Sequence, residues 1–148
     1  MSDQDIPDDE GLLRRIPPWH EPQQNQNPPD GGAPALRPPS AAFALDGGEA
    51  GLSFHVESSL RAVGEPLTYG CPIGQPGWAV TRIHAGAVRR LGLRVERDNI
   101  PHHVQVFGLA NLRGSALRRL QRDLAKNSVY VVPPRVSCMG GPADRRIS

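Results

Sequence analysis

The clearest alternation of apolar and polar positions lies in residues 78–107. The apolar run 78–80 predicts a short strand, and Thr81 is placed to cap a helix that continues to about Leu91. Gly92 follows at the position where a residue in the left-handed conformation closes a helix. The segment therefore begins with a strand and a helix that has a defined end.

Two segments of alternating polarity follow this helix. Leu93-Arg94-Val95-Glu96 and His103-Val104-Gln105-Val106 each place an apolar side chain at every second position, which is typical of strands with one solvated face. The connection 97–101 between them is rich in turn-forming residues. The pattern therefore predicts an antiparallel hairpin.

Three further apolar runs predict strands, at residues 12–16, 52–56 and 129–132. Prolines follow the first and the last of these runs and end them. In the second run, alternation places His55 on the face opposite Phe54. Ser58 comes next and is placed to cap a short helix that continues to Ala62.

A longer helix is predicted at residues 115–126, because three leucines fall on one stripe at helical spacing. These are Leu117, Leu120 and Leu124. The basic side chains of the segment lie away from that stripe: Arg118, Arg119, Arg122 and Lys126. Asn127 is placed to end the helix as a left-handed residue.

Strands and helices joined by short connections predict the α+β class. We expect a small mixed or antiparallel sheet with two main helices on one face, a split βαβ arrangement and long Pro/Gly-rich loops. Residues 1–11 are expected to be an acidic disordered tail and 135–148 a second disordered tail, around one domain at 12–134. Within that domain, the Pro-, Gln- and Asn-rich residues 21–39 are predicted to be a flexible insertion.

Charge is distributed unevenly along the chain, although the formal net charge is only +2. Residues 1–79 carry four arginines and eleven acidic side chains, whereas residues 80–148 carry thirteen basic and four acidic ones. A basic half of this kind attracts an anionic partner, or it pairs with the acidic arm of its own chain. The composition, rich in Arg, Ala, Gly and Pro, is also what a GC-rich genome produces.

These features predict a non-enzymatic protein that binds a macromolecule through its basic second half, with an acidic protein as the expected partner. The expected contact residues are Arg113, Arg118, Arg119, Arg122 and Lys126. Nucleic acid is the alternative partner, because the same cations can follow a phosphate backbone. Aromatic residues that would stack on bases are missing from this stretch. No cofactor is expected.

Other chemistry has less support in the sequence. His84, His102 and His103 lack the paired spacings of metal ligands, and alternation would point the last two to opposite faces of a strand, so we expect no metal site. Cys71 would need a neighbouring histidine and a lowered pKa to act as a nucleophile. Residues 111–115 lead into a helix N-terminus, where N–H groups can receive a phosphate, but a plain loop and helix start explains them as well.

No run of the sequence approaches the ~18 apolar residues that span a bilayer. The acidic N-terminal residues are not followed by a hydrophobic segment, as a secretory signal would be. We therefore expect no membrane segment and a cytoplasmic protein in which Cys71 and Cys138 are reduced thiols.

The order of several short motifs resembles a group of small uncharacterised bacterial proteins. The motifs are Leu13-Arg14-Arg15-Ile16, Arg37-Pro38-Pro39-Ser40-Ala41-Ala42-Phe43, Gly51-Leu52-Ser53-Phe54, Ala79-Val80-Thr81 and His102-His103. In that group an arginine-bearing strand precedes an "RPSSAAF" segment and an "LSV" strand. Pro39 stands where the group has a second serine. The resemblance implies kinship and no particular activity.

The same order of parts resembles the ADP-ribosyltransferase-like fold of some bacterial toxins. That resemblance implies that Arg15 holds NAD, that Ser40 shapes the pocket and that Glu57 is the catalytic carboxylate. The chain departs from the pattern because no glutamate follows a suitable final strand; only Glu65 and Glu96 come after Glu57. An NAD-using transferase is thus the enzymatic alternative to a binding protein.

Overall fold

The structure is a computed structural model that describes residues 6–29, 31–33, 35–46 and 49–134. The strands in these residues are β1 (Gly11–Ile16), β2 (Gln23–Asn25), β3 (Ala35–Arg37), β4 (Gly51–Val56), β5 (Ala79–His84), β6 (Arg94–Arg97), β7 (His103–Phe107) and β8 (Val129–Val132). The helices are α1 (Glu57–Ala62), α2 (Ala85–Arg90) and α3 (Gly114–Lys126), and Ser40–Phe43 forms a short 3₁₀ helix.

Six strands form one antiparallel sheet in the order β6-β7-β4-β1-β5-β8. β2 pairs with β3 in a separate antiparallel ribbon. The α+β class is therefore confirmed, with the sheet antiparallel rather than mixed. The connections β5-α2-β6 and β7-α3-β8 each join strands that run in the same direction but are separated by three others, which agrees with a split arrangement.

The two faces of the sheet bury different groups. One face carries the larger of two apolar clusters, which we call the larger core. Because side chains alternate along a strand, Leu12 and Ile16 of β1 point into this core, together with side chains of α2, α3 and the 3₁₀ helix. Leu13 points to the other face, where it packs with Leu60 of α1 and Val80 of β5 in a smaller cluster. The two main helices thus lie on one face, and α1 lies on the other.

Arg14 is the one charged side chain of β1 that points into the larger core. Its guanidinium donates to the carbonyl oxygens of Ala42 at 2.8 Å and Ser53 at 3.1 Å. It also lies 5.6 Å from the ring centres of Phe43 and Phe54. Burial lowers the pKa of Arg14 to about 10, and nearby acidic side chains oppose this shift. The arginine stays charged and joins β1 to β4 and the 3₁₀ helix.

The prediction that Thr81 caps a helix was wrong. Thr81 lies inside β5 and is almost fully buried, and β5 continues to His84 before α2 begins. The whole strand pairs residue by residue with β1, and this pairing outweighs the capping tendency of one hydroxyl. Gly92 is left-handed with φ of 86°, as predicted for the end of α2.

Two further cap predictions were wrong. Ser58 lies within α1, which begins one residue earlier, and both its N–H and its hydroxyl donate to the carboxylate of Glu10. Asn127 ends α3 with φ of −92° rather than in the left-handed region. Its side-chain amide instead donates to the carbonyl oxygen of Asp123 at 2.8 Å.

Residues 21–39, which were predicted to be a flexible insertion, contain the ribbon of β2 and β3. Asn25 in this ribbon is buried, and its side-chain amide donates to the carbonyl oxygen of Lys126 at 3.0 Å. The ribbon therefore contacts the C-terminal end of α3, and a long-range hydrogen bond supplies order that the polar composition does not indicate.

The chain is also packed earlier than the expected start of the domain at residue 12. Ile6 is buried in the larger core, and the carbonyl oxygen of Asp8 accepts a hydrogen bond from the N–H of Gly86 at 2.8 Å. The predicted disorder of residues 1–5 and 135–148 lies outside the described residues. Within the described part, no helix has the length and apolar content needed to cross a membrane.

We predict that Arg14→Lys lowers the free energy of unfolding by about 2–4 kcal/mol, because an ammonium cannot reach both carbonyl oxygens and the charge remains buried. Denaturant unfolding followed by circular dichroism measures the change. Arg37→Lys in the ribbon is the matched control and should change the value by less than about 0.5 kcal/mol. Equal effects of the two substitutions would contradict the role given to Arg14.

Candidate functional site

The predicted contact residues Arg118, Arg119, Arg122 and Lys126 all lie on the outer side of α3, which we call the cationic face. With about 100° of rotation per residue, the four positions fall within an arc of about 100°. Three leucines lie on the opposite side of the helix and pack towards the sheet: Leu117, Leu120 and Leu124. All four cations are exposed, and none forms an ion pair with another described residue.

Arg113, the fifth predicted contact residue, lies just before α3, and its side chain contacts the backbone of the loop that precedes it. Its Nη1 donates to the carbonyl oxygens of Ala110 at 2.9 Å and Leu112 at 2.8 Å. Residues 111–115, considered above as a phosphate-binding loop, are thus bridged by this arginine. Arg113 stabilises the start of the helix and is less available to a partner than the four residues of the cationic face.

Elsewhere in the basic half, three arginines contact the chain's own carboxylates. Arg82 contacts Glu57, Arg89 contacts Asp8, and Arg94 contacts Glu96, all with N–O distances of 2.6–2.7 Å. The acidic first part of the chain supplies two of these three carboxylates. It therefore covers part of the basic half, at positions away from the cationic face.

The structure does not bring Arg15, Ser40 and Glu57 together. Arg15 and Glu57 lie on the same face of the sheet, but Glu57 is next to Gly11, which is about 13 Å along β1 from Arg15. Ser40 begins the 3₁₀ helix, which packs on the opposite face with Arg14. The resemblance to ADP-ribosyltransferases stays a prediction that this geometry does not support.

Glu57 is held by two arginines. Its carboxylate accepts hydrogen bonds from Nε and Nη2 of Arg82 at 2.7 and 2.9 Å, and from Nη2 of Arg61 at 2.7 Å. These bonds, first those from Arg82, lower the pKa of Glu57 to about 2 against the opposing effect of burial. A carboxylate with so low a pKa is a poor proton acceptor, and its geometry indicates a structural role.

Aromatic and histidine side chains gather on the same face of the sheet, in a group that we call the histidine cluster: His55, Tyr69, His102 and His103. His55 and His103 are directly opposite each other on β4 and β7, with ring centres 5.6 Å apart. Tyr69 lies 5.3 Å from His55 and 5.5 Å from His102, with all three contacts edge to face.

His102 joins the cluster because it precedes β7 and has a positive φ of 63°. Alternation does not apply to a residue outside the strand, so the prediction that His102 and His103 point to opposite faces was wrong. The hydroxyl of Ser59 lies 2.5 Å from Nδ1 of His102. Left-handed backbone at a residue with a Cβ is uncommon and often occurs at functional positions.

His103 is oriented by Asp98. Its Nδ1 lies 2.6 Å from Oδ2 of Asp98, a carboxylate that also accepts from the N–H of Ile100 and from the amide of Gln105. Burial acts to raise the pKa of Asp98, but the bonds from Ile100, Gln105 and His103 outweigh it and lower the pKa. The contact at Nδ1 leaves Nε2 of His103 for another partner.

His55 is the most unusual member of the cluster. Only 9% of the residue is exposed, and its ring packs edge to face against Tyr69 and His103. Burial, followed by the charge of Arg15 and the neighbouring His103 and His102, lowers the pKa of His55 to about 4. The imidazole is therefore neutral at physiological pH.

The loop between α1 and β5 covers Arg15 and His55 at Gly70. Nη1 of Arg15 donates to the carbonyl oxygen of Gly70. Gly70 is left-handed with φ of 82°, and a Cβ there would lie 3.1 Å from Nη1 of Arg15 and 3.2 Å from Cε1 of His55. Both the backbone conformation and the close approach require glycine at this position.

A pocket of about 500 Å³ lies beside Arg15 at the end of the sheet. Arg15 and Ser53 line one side of it, and Trp19 and Trp78 line another, with indole centres 5.9 Å apart. The indole N–H of Trp78 is buried without a hydrogen-bond partner in the described structure. Asp46 and Glu49 line the same pocket, so it combines apolar walls with side chains of both charges.

The remaining sequence candidates stay apart. His84 is on β5, three strand spacings of about 4.8 Å from β7, so it does not join His103. In the described residues, no group of three or more His, Cys, Asp or Glu side chains is arranged to hold a metal ion. Burial raises the pKa of Cys71, which opposes the thiolate that a nucleophile requires. Cys138 lies outside the described residues.

No protein-family profile, curated protein or solved structure matches the chain. The geometry alone defines the class of protein: an α+β protein with an exposed cationic helix on one face of its sheet and a histidine cluster on the other. The resemblance to small uncharacterised bacterial proteins stays a prediction.

We predict that Gly11→Ala lowers the free energy of unfolding by about 1–3 kcal/mol, because its Cβ would overlap Oε1 of Glu57 and displace the hydrogen bonds to Arg82. Denaturant unfolding measures this loss. In a Glu57→Ala background the overlap is absent, so the same substitution should cost clearly less. Equal costs in both backgrounds would show that Glu57 does not set the requirement for glycine.

We predict that the protein loses stability as the pH falls from about 6.5 to 4, because the unfolded chain protonates His55 in this range and the folded chain resists it. Above about pH 6.5 His55 is neutral in both the folded and the unfolded chain, so its full contribution to the stability is present. The difference between the wild type and His55→Gln should reach about 1–2 kcal/mol at the acidic end. The contribution of Glu57 is lost only below about pH 4.5, and it is the same in both proteins, so parallel curves for the two would contradict the prediction.

Proposed function

We propose that the protein is a non-enzymatic binding protein that holds an acidic protein partner on the cationic face of α3. The observation that supports this is the exposure of four cations on one side of one helix without ion-pair partners among the described residues. Three other arginines of the same half already contact carboxylates, whereas the cationic face presents four cations together, so an external anion gains more there.

The packing of α3 against the rest of the protein suits a rigid binding surface. Leu124 and Ala125 are buried in the larger core, and Asn25 of the ribbon hydrogen-bonds to the last turn. With a rise of 1.5 Å per residue, the cations from Arg118 to Lys126 span about 12 Å, which matches two turns of an acidic helix. Because the helix is already ordered, binding does not require its folding.

A protein partner fits this surface better than nucleic acid. The face holds four cations and no aromatic side chain that would stack on a base. The formal net charge of the whole chain is only +2, which gives little long-range attraction for a polyanion. Nucleic acid is the alternative partner, and a titration with duplex DNA and RNA distinguishes it from an acidic protein. The residues expected of an NAD-using transferase do not lie together in one site.

We propose the cytoplasm as the place of action. The thiol of Cys71 is free, which suits a reducing compartment. Arginine-rich, exposed surfaces of the kind found on α3 need no metal or cofactor for binding, so the proposal includes none.

We predict that Arg118→Glu/Arg119→Glu/Arg122→Glu weakens binding of a fluorescent glutamate-rich peptide at least tenfold, because three attractions become repulsions of about 0.5 kcal/mol or more each. Fluorescence anisotropy at low and physiological salt measures the affinity. The fold should persist, since these side chains make no contact that holds α3, and circular dichroism checks this.

The control reverses three charges elsewhere, with Arg37→Glu/Arg90→Glu/Arg94→Glu, and should keep the affinity within about threefold. Unchanged affinity in the α3 variant would overturn the proposed surface. A parallel titration with duplex DNA and RNA separates the two partner classes. Tight, strongly salt-dependent binding of either duplex, without binding of the peptide, would favour the nucleic-acid alternative.

A further inference from the structure

An apolar groove lies beside the cationic face, between α3, the loop before it and the segment that follows the 3₁₀ helix. It has a volume of about 400 Å³, and its apolar lining consists of Ala44, Leu45, Leu109, Ala110, Leu112 and Leu117. Leu109 is buried, whereas Leu45, Leu112 and Leu117 are only half-buried. These leucines keep part of their apolar surface in contact with water, so a partner that covers the groove gains binding energy.

Helical geometry places the groove next to the cations. At about 100° of rotation per residue, Gln121 lies about 40° from Leu117 and about 60° from Arg118 around the axis of α3. Leu117 and Gln121 line the groove, and Arg118 is the first residue of the cationic face beyond them. Arg113 lines the groove as well. A partner on the cationic face can therefore reach the groove with a neighbouring side chain.

The segment that lines the groove away from α3 carries two carboxylates. Asp46 and Glu49 are both exposed, and the N–H of Asp46 donates to Oε1 of Glu49 at 2.7 Å. Both carboxylates also act to raise the pKa of Arg14, so they have a role in the core as well. An acidic residue of a partner is therefore attracted to the α3 side of the groove and repelled from the other side.

We propose that this groove receives an apolar side chain of the partner that the cationic face binds, and that the partner segment is an amphipathic helix with acidic residues on one side of its apolar stripe. The inference rests on the proposed function and specifies its partner. In a helix, residues at i and i+4 form one row, and residues at i+3 and i+7 form the row beside it. One row can therefore meet the cations while the adjacent row enters the groove.

An extended segment matches this surface less well than a helix. Successive side chains of a strand point in opposite directions, so one face of a strand presents a single row. The cations Arg118, Arg122 and Lys126 recur at every fourth position, about 6 Å apart along the axis, and an acidic row of a second helix has the same spacing. The groove has room for a large apolar side chain, because a cavity of roughly 150 Å³ already holds a benzene molecule.

The test uses two fluorescent helical peptides that share one acidic row and differ only in the adjacent row, which carries leucines in one peptide and alanines in the other. Fluorescence anisotropy at physiological salt measures both affinities. The leucine peptide should bind the wild type at least tenfold more tightly, because its side chains leave water on binding. Leu112→Asn, which makes the groove more polar, should reduce this preference to less than about threefold.

Ile100→Asn is the matched control, because Ile100 is an exposed apolar residue before β7, whereas the groove lies after β7. It should keep the preference of the wild type. Ala110→Trp adds bulk at an exposed position of the groove without removing a core side chain, and it should reduce the preference as Leu112→Asn does. Circular dichroism verifies the fold of each variant. Equal affinities of the two peptides for the wild type, or an unchanged preference in both groove variants, would overturn the inference.

Arg118→Glu/Arg119→Glu/Arg122→Glu separates this inference from the proposed function. If the charge reversal weakens both peptides but the wild type does not prefer the leucine peptide, the cationic face is correct and the groove is wrong. If it weakens neither peptide, the proposed function itself fails. Sedimentation velocity of the protein alone tests a second copy as the occupant of the groove. Dimerisation that Leu112→Asn abolishes would assign the groove to self-association and overturn the inference.

Discussion

The buried guanidinium of Arg14 is the contact on which the larger core depends. It lies on the inner strand β1 and binds carbonyl oxygens of both the 3₁₀ helix and β4, between the rings of Phe43 and Phe54. A charge that is largely removed from water depends on these hydrogen bonds to replace its lost solvation. The register of β1 with β4 is therefore restricted, since a shift by one residue would turn Arg14 out and Arg15 in.

The same restriction places Arg15 on the other face. Adjacent residues of a strand point in opposite directions, so fixing Arg14 in the core also fixes Arg15 beside His55 and under Gly70. Arg14 is bound by backbone carbonyl oxygens on the core face, whereas Arg15 is exposed. The pair thus divides into a structural residue and a surface residue, although the two are chemically identical and adjacent in sequence.

Local patterns were sufficient to predict β1, β4, the hairpin of β6 and β7, α3 and the α+β class. They failed where a distant contact decides the local conformation. Thr81 continues a strand because β1 pairs with it, and Asn25 orders the ribbon by a bond to Lys126. The histidine cluster was missed for the same reason: alternation placed His55 opposite Phe54, but nothing in the sequence indicates that it pairs with His103 across β4 and β7.

The carboxylates of the chain decide which cations are left for other molecules. Glu57, Asp8 and Glu96 each contact an arginine of their own chain. The cationic face of α3 has no such contact among the described residues, and the same is true of single arginines such as Arg90 and Arg97. The cationic face differs from these single charges because its four cations lie on one side of one ordered helix, where one anionic partner can contact them together.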